Sequence, residues 1–386
     1  MAPPVPRPAL PPDHARRRRL ALATARQAVG EADCLVTCNG HDIFYLTGAR
    51  EGVSWLAVWD GGAFALSRHM LVDEVRELLP DCEVLLPCRR STDTPDLEGF
   101  LTAQLASRRL RAIVCDPARM PARAHLALTD RAAANACRIF LLDDAIGGLR
   151  AIKDPWEAGL IRRCVEIAEE AFRGLIAGGA GALLSRSERD VADELDNRMR
   201  QLGADRQGFP TTGIIVASGP NSTRAHHTPG ARRIAAGEPL LIDWGAELDG
   251  YRNDVTRTLF LGTVPEFARR AYPVVEAALH AAAGLLQHGA VMGDVDRAAR
   301  ERVVGSGFTE FHYGVGHGVG LEIHESPWIR AASRLPLIAG MVTTIEPGIY
   351  LRGQGGIRIE NLYAIHDGSA ASLGSLPTSI ESMTLG

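Results

Sequence analysis

Between residues 17 and 150, short apolar runs alternate with segments of helical period. "CLVTC", "WLAVWD", "AFALS", "EVLLP" and "AIVCD" read as strands, and "HMLVDEVRELL" and "LEGFLTAQLAS" as helices. That alternation predicts an α/β domain. His41 and Asp42 precede a strand-like "IFYL" and read as a structural turn. Near residue 150 the pattern changes. "AIKDPWEAGLIRRCVEIAEEAF" opens a long helix, with Asp154 as cap, Pro155 at the first helical position and Glu157 where a capping-box acid belongs. "SRSERDVADELDNRMRQLG" repeats the logic, with Ser185 and Glu188 as the box and Gly203 as the stop.

Beyond it, "GIIVASG" reads as a strand and "PNSTRAHHTPG" as a loop. Two strand-like stretches, two helices (about 264–288 and 294–304) and further strand-like stretches follow. The order helices, strands, helices, strands hints at a duplicated helix–hairpin unit, although no sequence repeat is visible. Three segments result: a Pro-rich disordered leader (1–16), an α/β domain (17–150) and a larger α+β domain (151–386).

Composition narrows the classes. The chain has 386 residues, 46% of them hydrophobic and 23% charged, with a net charge of −4. This is ordinary for a globular protein and supplies no basic field for nucleic acid or an anionic membrane. The only dense basic cluster is Arg16 to Arg19, and no apolar run reaches membrane-spanning length. No secretion signal is read. Seven cysteines are scattered singly, with no CxxC pair. Buried reduced thiols in a cytoplasmic protein are the expectation.

The chemistry starts at "LIDWGAELDGYRNDVTRTLF", residues 241–260. Asp249-Gly250 suits a two-residue type I′ turn. In the register that turn imposes, Asp243 faces Thr256. Asp254 lies two positions along and so shares the face of Asp243. The two aspartates are then diagonal neighbours, roughly 7–8 Å apart at the backbone. Like charges so placed repel unless a cation or a proton lies between them; a solvated polar face is the alternative.

Downstream residues add to this pair. "GVGHGVGLEIHE" sets His317 between glycines and His324 seven residues on, with Glu322 and Glu325 beside it. "TTIEPGIY" and "GIRIENLYAI" put Glu346 and Glu360 inside two more strands, joined by the turn signal "RGQGG". Two Asp, two Glu and a His on apolar strands suit a pair of Mn, Co, Fe or Zn ions, and do not suit a closed structural zinc site.

The sequence D-x-G, D-G-Y, D-x-T-R-T, then G-H-G-x-G with H-E, I-E-P-G and G-x-R-I-E, in this order, resembles the pita-bread metallopeptidases, nearest aminopeptidase P and prolidase. The resemblance covers about residues 150–386. The first domain resembles the amino-terminal domain of that group and of creatinase by its layout and "FYLTG". The resemblance implies two divalent ions, manganese first and cobalt, zinc or iron as alternatives. Asp243 would hold one ion, His317 and Glu346 the other, and Asp254 and Glu360 would bridge. Glu346 would be the general base for a water activated by the pair. His226 and His324 match substrate-side histidines, His227 reads as a neighbour, and Arg358 matches an arginine of the proline-cleaving members. The implied substrate is a peptide with proline at the second position, and the implied assembly is a homodimer.

Two positions depart from that pattern. Trp328 stands where many prolidases have an arginine that reads the dipeptide carboxylate, with Arg330 two residues on. Asn361 stands where many relatives have Asp, which bears on metal affinity. From Trp328, Xaa-Pro-Xaa substrates are expected to be cleaved at least as well as Xaa-Pro dipeptides, unless Arg330 takes over the carboxylate. A C–N hydrolase of a small compound, creatinase-like or ectoine-hydrolase-like, is the alternative on the same fold. A ligand-depleted pseudoenzyme is disfavoured, since every ligand is present.

Overall fold

The computed structural model describes residues 12–87, 96–309 and 311–386. The described residues of the chain form two compact units, Pro12–Arg150 and Ala151–Gly386. Most of the expected leader, and Cys88, lie outside the described residues.

The smaller unit is built on a six-stranded mixed sheet. Its strand order is Glu83–Leu85, Gly62–Ser67, Val53–Trp59, Cys34–Thr37, Ala112–Cys115 and Arg138–Leu141. The five strand-like runs all become strands. Helices Leu97–Ser107 and Ala122–Ala134 cover buried Val36, Trp55, Phe64 and Ile113 of the sheet. Two expectations need correction. "IFYL" is not a strand but part of the helix Gly40–Thr47. A four-residue apolar run cannot choose its own period, and Asn39 decides it by accepting from the amides of His41 and Asp42 at 3.0 and 3.1 Å. Asp42 itself is buried and ion-paired with Arg150 at 2.9 Å and Arg119 at 3.1 Å.

The leader also ends earlier than residue 16. The first helix, His14–Val29, takes in residues 14–16, because Asp13 caps the amide of Arg16. In that helix Arg17 and Arg18 are buried. They donate to the carbonyls of Tyr45 and Leu46 at 3.2 and 2.9 Å, in the last turn of Gly40–Thr47. Half of the basic cluster therefore caps a helix end. Of the described cysteines, Cys34, Cys115, Cys137 and Cys164 are buried, and none is in a disulfide.

In the larger unit, helix Pro155–Ile176 begins with the expected box of Asp154 and Glu157. Helix Glu188–Gln201 does not use Ser185 and Glu188. Its cap is Ser187, boxed with Asp190. Ser185 has a φ of 63°, in the left-handed region, whereas Ser187 is extended and can turn its hydroxyl into the helix. Glu188 is thereby released for another task.

Two hairpins carry the acids. The first pairs Pro239–Trp244 with Val255–Leu261. Asp249 and Gly250 at its tip have φ of 51° and 85°, as a type I′ turn requires. Thr256 lies opposite Asp243, in the expected register. The hairpin sits in a four-stranded sheet with Ile215–Ser218 and Thr384–Leu385. The second hairpin pairs Val342–Ile345 with Asn361–His366, and further out Gly348–Leu351 with Gly355–Arg358. The register is the same on both sides of the break, so Glu346 and Glu360 come opposite each other where the ladder is interrupted. They lie at strand ends rather than inside strands. Helices Glu266–Ala283 and Met292–Gly305 separate the hairpins in sequence. A single antiparallel bridge, Thr256 to Glu360, ties one hairpin to the other.

Strand alternation turns Trp244 away from its neighbour Asp243 and into the helical layer. Its ring stacks on Phe172 with centroids 4.5 Å apart, and its indole N–H donates to the Ala168 carbonyl at 2.9 Å. Among the described residues, no helix is long and apolar enough to cross a membrane. Replacing the fully buried Trp244 by Ala should cost about 3–5 kcal/mol of stability. Denaturant unfolding checks this, and a loss under about 1 kcal/mol would show that the indole does not anchor the strand.

Candidate metal centre and active site

The two hairpins and the Gly316–Gly318 strand bring their polar residues to one place. Asp243, Asp254, His317 and Glu360 are all buried, and Glu346 is partly so. Three sets of side chains have ligand atoms within 4.8 Å of one another: Asp243, Asp254 and Glu360; His317, Glu346 and Glu360; and Asp254, His317 and His324. Asp254, His317 and Glu360 each belong to two sets, so the three sets overlap in one cluster.

His317 can enter because its neighbours lack side chains. A Cβ on Gly316 or Gly318 would overlap the carbonyl oxygens of Thr344 and Ser326. The Nδ1–H of His317 donates to the Gly318 carbonyl at 3.1 Å. Its Nε2 faces Glu346 Oε1 at 3.3 Å and Asp254 Oδ2 at 3.7 Å. A histidine anchored through one nitrogen and turned into a group of carboxylates with the other has the orientation of a ligand.

The carboxylates show the same division. Asp243 Oδ2 accepts from Arg358 Nη2 at 2.5 Å, and Glu360 Oε2 accepts from the Thr256 hydroxyl at 2.7 Å. Their other oxygens, Asp243 Oδ1 and Glu360 Oε1, are buried without a hydrogen-bond partner, as is Asp254 Oδ1. Burial raises the proton affinity of Asp243. Burial, then the charges of Glu360 and Asp243, pushes Asp254 well above the usual carboxylate range. Burial and the charge of Glu346 do the same to Glu360. Bare, crowded, desolvated oxygens are costly unless protons or cations join them. The donor set, oxygen-rich with one imidazole, fits divalent transition ions.

Above these groups lies a cavity of about 360 Å3. His226, His324, Trp328 and Arg330 line it, with Phe209, Ile215 and Ile323 as apolar wall. Solvent reaches the His324 ring, yet the surrounding protein and then the adjacent His317 push its imidazole down to about 4, so it is neutral at pH 7. His227 is turned away: its Nε2 pairs with buried Glu188 at 2.8 Å. Glu188 also accepts from the Ser218 amide and hydroxyl and from Asn221, which fixes the loop that carries His226. Arg358 has every N–H engaged, on Thr256, Tyr350, Asp243 and the Ala225 carbonyl. Glu325 is not part of the site, since it is paired with Lys153 at 2.8 Å.

Sequence reasoning missed Thr256, Tyr313 and Tyr350. The tyrosine hydroxyls lie 2.9 Å apart, and Tyr313 donates to the Glu346 carbonyl at 3.3 Å. Thr256 had a signal, its place opposite Asp243. The tyrosines had none, because their hydroxyls meet only after the second hairpin and the 311–315 segment come together.

The sequence profile of metallopeptidase family M24 matches residues 159–367, more than half of the chain. The chain belongs to this family. A probable dipeptidase, PepE, of Mycobacterium tuberculosis is 30% identical over 370 residues, spanning 93% of this chain and 94% of that protein. The Xaa-Pro dipeptidase of Pyrococcus furiosus is 37% identical over 233 residues, spanning 60% of this chain and 65% of its own, just under two thirds. Among solved structures, a prolidase from Thermococcus sibiricus superposes with a TM-score of 0.83 at 29% identity, over 95% of this chain and 98% of that one. The larger unit of this M24 protein therefore has the pita-bread fold that its motifs imply, and the family is one of metallopeptidases.

The raised carboxyls have a measurable consequence. In metal-free protein, Asp254 and Glu360 keep protons that the unfolded chain has released. Stability should then fall as pH rises from the ordinary carboxylate range through the raised values. A dication displaces those protons, so Mn2+ should raise Tm more at pH 8 than at pH 5, and Asp254→Ala should lose most of that gain. Thermal unfolding of chelator-treated protein with and without Mn2+ tests both, and equal gains at the two pH values would contradict the assignment.

Proposed function

We propose that this chain is a metal-dependent peptidase that hydrolyses the bond between an amino-terminal residue and proline at the second position, in dipeptides or short peptides. The observation that carries the reading is the trio of bare buried oxygens on Asp243, Asp254 and Glu360 beside the Nε2 of His317, in an M24 chain. Asp243 would hold one divalent ion, His317 and Glu346 the other, and Asp254 and Glu360 would serve both. Manganese is the first choice, with cobalt, zinc or iron as alternatives. When bound, the ions supply Lewis-acid polarisation and lower the pKa of a water.

The chain's own residues do the rest. Glu346 is the most open of the four acids, its side chain 17% exposed, and it takes the proton of the attacking water. His226, on the cavity wall, contacts the group that changes charge at the scissile bond, and neutral His324 orients the substrate from the facing side. Arg358, with no donor left, is a positioning residue that aligns Asp243 and the His226 loop. The apolar wall and Trp328 suit a proline ring.

Arg330 redirects the expectation drawn from Trp328. Its guanidinium lies over the Trp328 ring, 4.4 Å from the centroid. Among the described residues it has no hydrogen-bond or ion-pair partner, so its N–H edges are open to a carboxylate at the cavity. We therefore read Arg330 as the group that takes the terminal carboxylate of a short substrate. The small-molecule C–N hydrolase alternative draws no support from the relatives above, which are named as dipeptidases or prolidases. A homodimer and a cytoplasmic setting complete the proposal; the first follows the resemblance, the second the unpaired thiols.

Changing His226 to Ala should lower kcat and kcat/KM together by about 100-fold or more, with metal content unchanged. Wild-type turnover, or loss of metal, would remove it from this role. Changing Arg330 to Ala should raise KM for Xaa-Pro dipeptides by about 10- to 100-fold and affect Xaa-Pro-Xaa peptides less. If both substrate lengths respond alike, Arg330 does not read the carboxylate.

A further inference from the structure

Arg257 lies in the floor beneath the metal centre and is completely buried. All five of its N–H groups are satisfied, yet among the described residues none meets a carboxylate. Nε donates to the Pro377 carbonyl at 2.9 Å. Nη1 donates to the carbonyls of Thr256 and Glu360, at 2.8 and 2.7 Å. Nη2 donates to Leu376 O at 2.8 Å and to the side-chain oxygen of Asn361 at 2.7 Å. Hydrogen bonding is complete, but among the described residues no carboxylate touches the guanidinium, and Glu169 and Glu360 act on its charge only from a distance. A buried cation without a counter-ion is costly, and its field is poorly screened. One anion that acts on it, Glu169, is one peptide away. It accepts from the Leu376 amide at 3.0 Å while Arg257 holds the carbonyl of the same residue. Glu169 is also engaged by Arg173 at 2.9 Å.

The position of this charge matters. Arg257 grips the backbone oxygens of Thr256 and Glu360, the two residues whose bridge joins the hairpins. The Thr256 hydroxyl donates to Glu360 Oε2, whose partner oxygen is one of the bare ones. The guanidinium is thus held against the backbone of a residue whose carboxylate keeps one oxygen open to an ion. There it offsets part of the repulsion among four acids, and it equally repels an incoming cation. The residue that could cancel it is neutral. Asn361 offers Arg257 an amide oxygen and donates its amide N–H to the Tyr363 hydroxyl at 3.5 Å. An aspartate of the same shape would fit, since the tyrosine hydroxyl can donate instead.

We propose that Asn361, by leaving the Arg257 guanidinium without a carboxylate in contact, sets the divalent-ion affinity of the centre below what its four carboxylates would otherwise give. The inference rests on the metallopeptidase reading above. Its test is equilibrium binding of Mn2+ to chelator-stripped full-length protein, by competition with a fluorescent metal indicator, with thermal unfolding recorded in parallel. Asn361→Asp should bind Mn2+ about tenfold more tightly or better, and gain more Tm from it than wild type. Asn361→Ser, which adds no charge, should show no such gain. Glu169→Gln, which removes one anion that acts on Arg257 while keeping an acceptor for the 375–376 amides, should weaken binding several-fold.

An Asn361→Asp protein that folds and binds Mn2+ no better than wild type overturns the proposal. If that variant does not fold, unchanged affinity in Glu169→Gln overturns it. Folded wild-type protein that takes up no Mn2+, Co2+, Zn2+ or Fe2+ would instead refute the metallopeptidase reading itself, which separates the two failures.

Discussion

Four carboxylates share one desolvated pocket, and much of the larger unit is arranged around that cost. Separately, Asp243, Asp254, Glu346 and Glu360 would each seek water. Here burial and mutual repulsion push Asp254 and Glu360 well above their ordinary range. The protein spends its hydrogen bonds selectively: Arg358 and Thr256 each fix one oxygen of a carboxylate and leave the other bare. A site that satisfied every oxygen internally would have nothing to offer a cation. Orientation without full satisfaction is the physical content of this centre.

That arrangement needs a rigid frame, because a shift of one residue in either hairpin would turn its acids to the opposite face. The Asp249-Gly250 turn sets the register of the first hairpin, and Trp244 locks it to the long helix through Phe172 and Ala168. The second hairpin keeps one register across the break at Glu346 and Glu360. The interruption frees both residues from the ladder while holding them opposite each other. Arg257 then joins the hairpins from below by gripping Thr256 and Glu360. The same cation that braces the frame also acts on the charge balance of the pocket.

The cavity above is built by different means. Its histidine loop is held from behind by Glu188, which is free to do so only because Ser187 took over the helix cap. Its wall pairs an indole with an arginine, so one surface has both apolar area and a cation with no carboxylate partner among the described residues. Such a wall suits a small apolar ring next to a carboxylate, the two features that proline at the end of a dipeptide combines.

The sequence alone determined the local structure wherever one period or one turn was decisive: five of the six strands of the small sheet, the Asp154 box, the type I′ turn and hence the shared face of Asp243 and Asp254. The motif order around His317, Glu346 and Glu360 was equally readable, since each lies in a distinctive Gly- or Pro-punctuated stretch of sequence. It misjudged "IFYL" and the Ser185 cap, where a side chain and a backbone angle outweighed the pattern. Only the tertiary structure decided that Arg358 has no donor to spare, that Arg330 lies on Trp328, that Tyr313 meets Tyr350, and that Arg257 is buried with no carboxylate in contact among the described residues. Each of these joins residues from separate segments of the chain. Periodicity reports which face a residue takes on its own element, whereas a hydrogen-bond partner or an unpaired charge is set by what the remaining elements bring to that face.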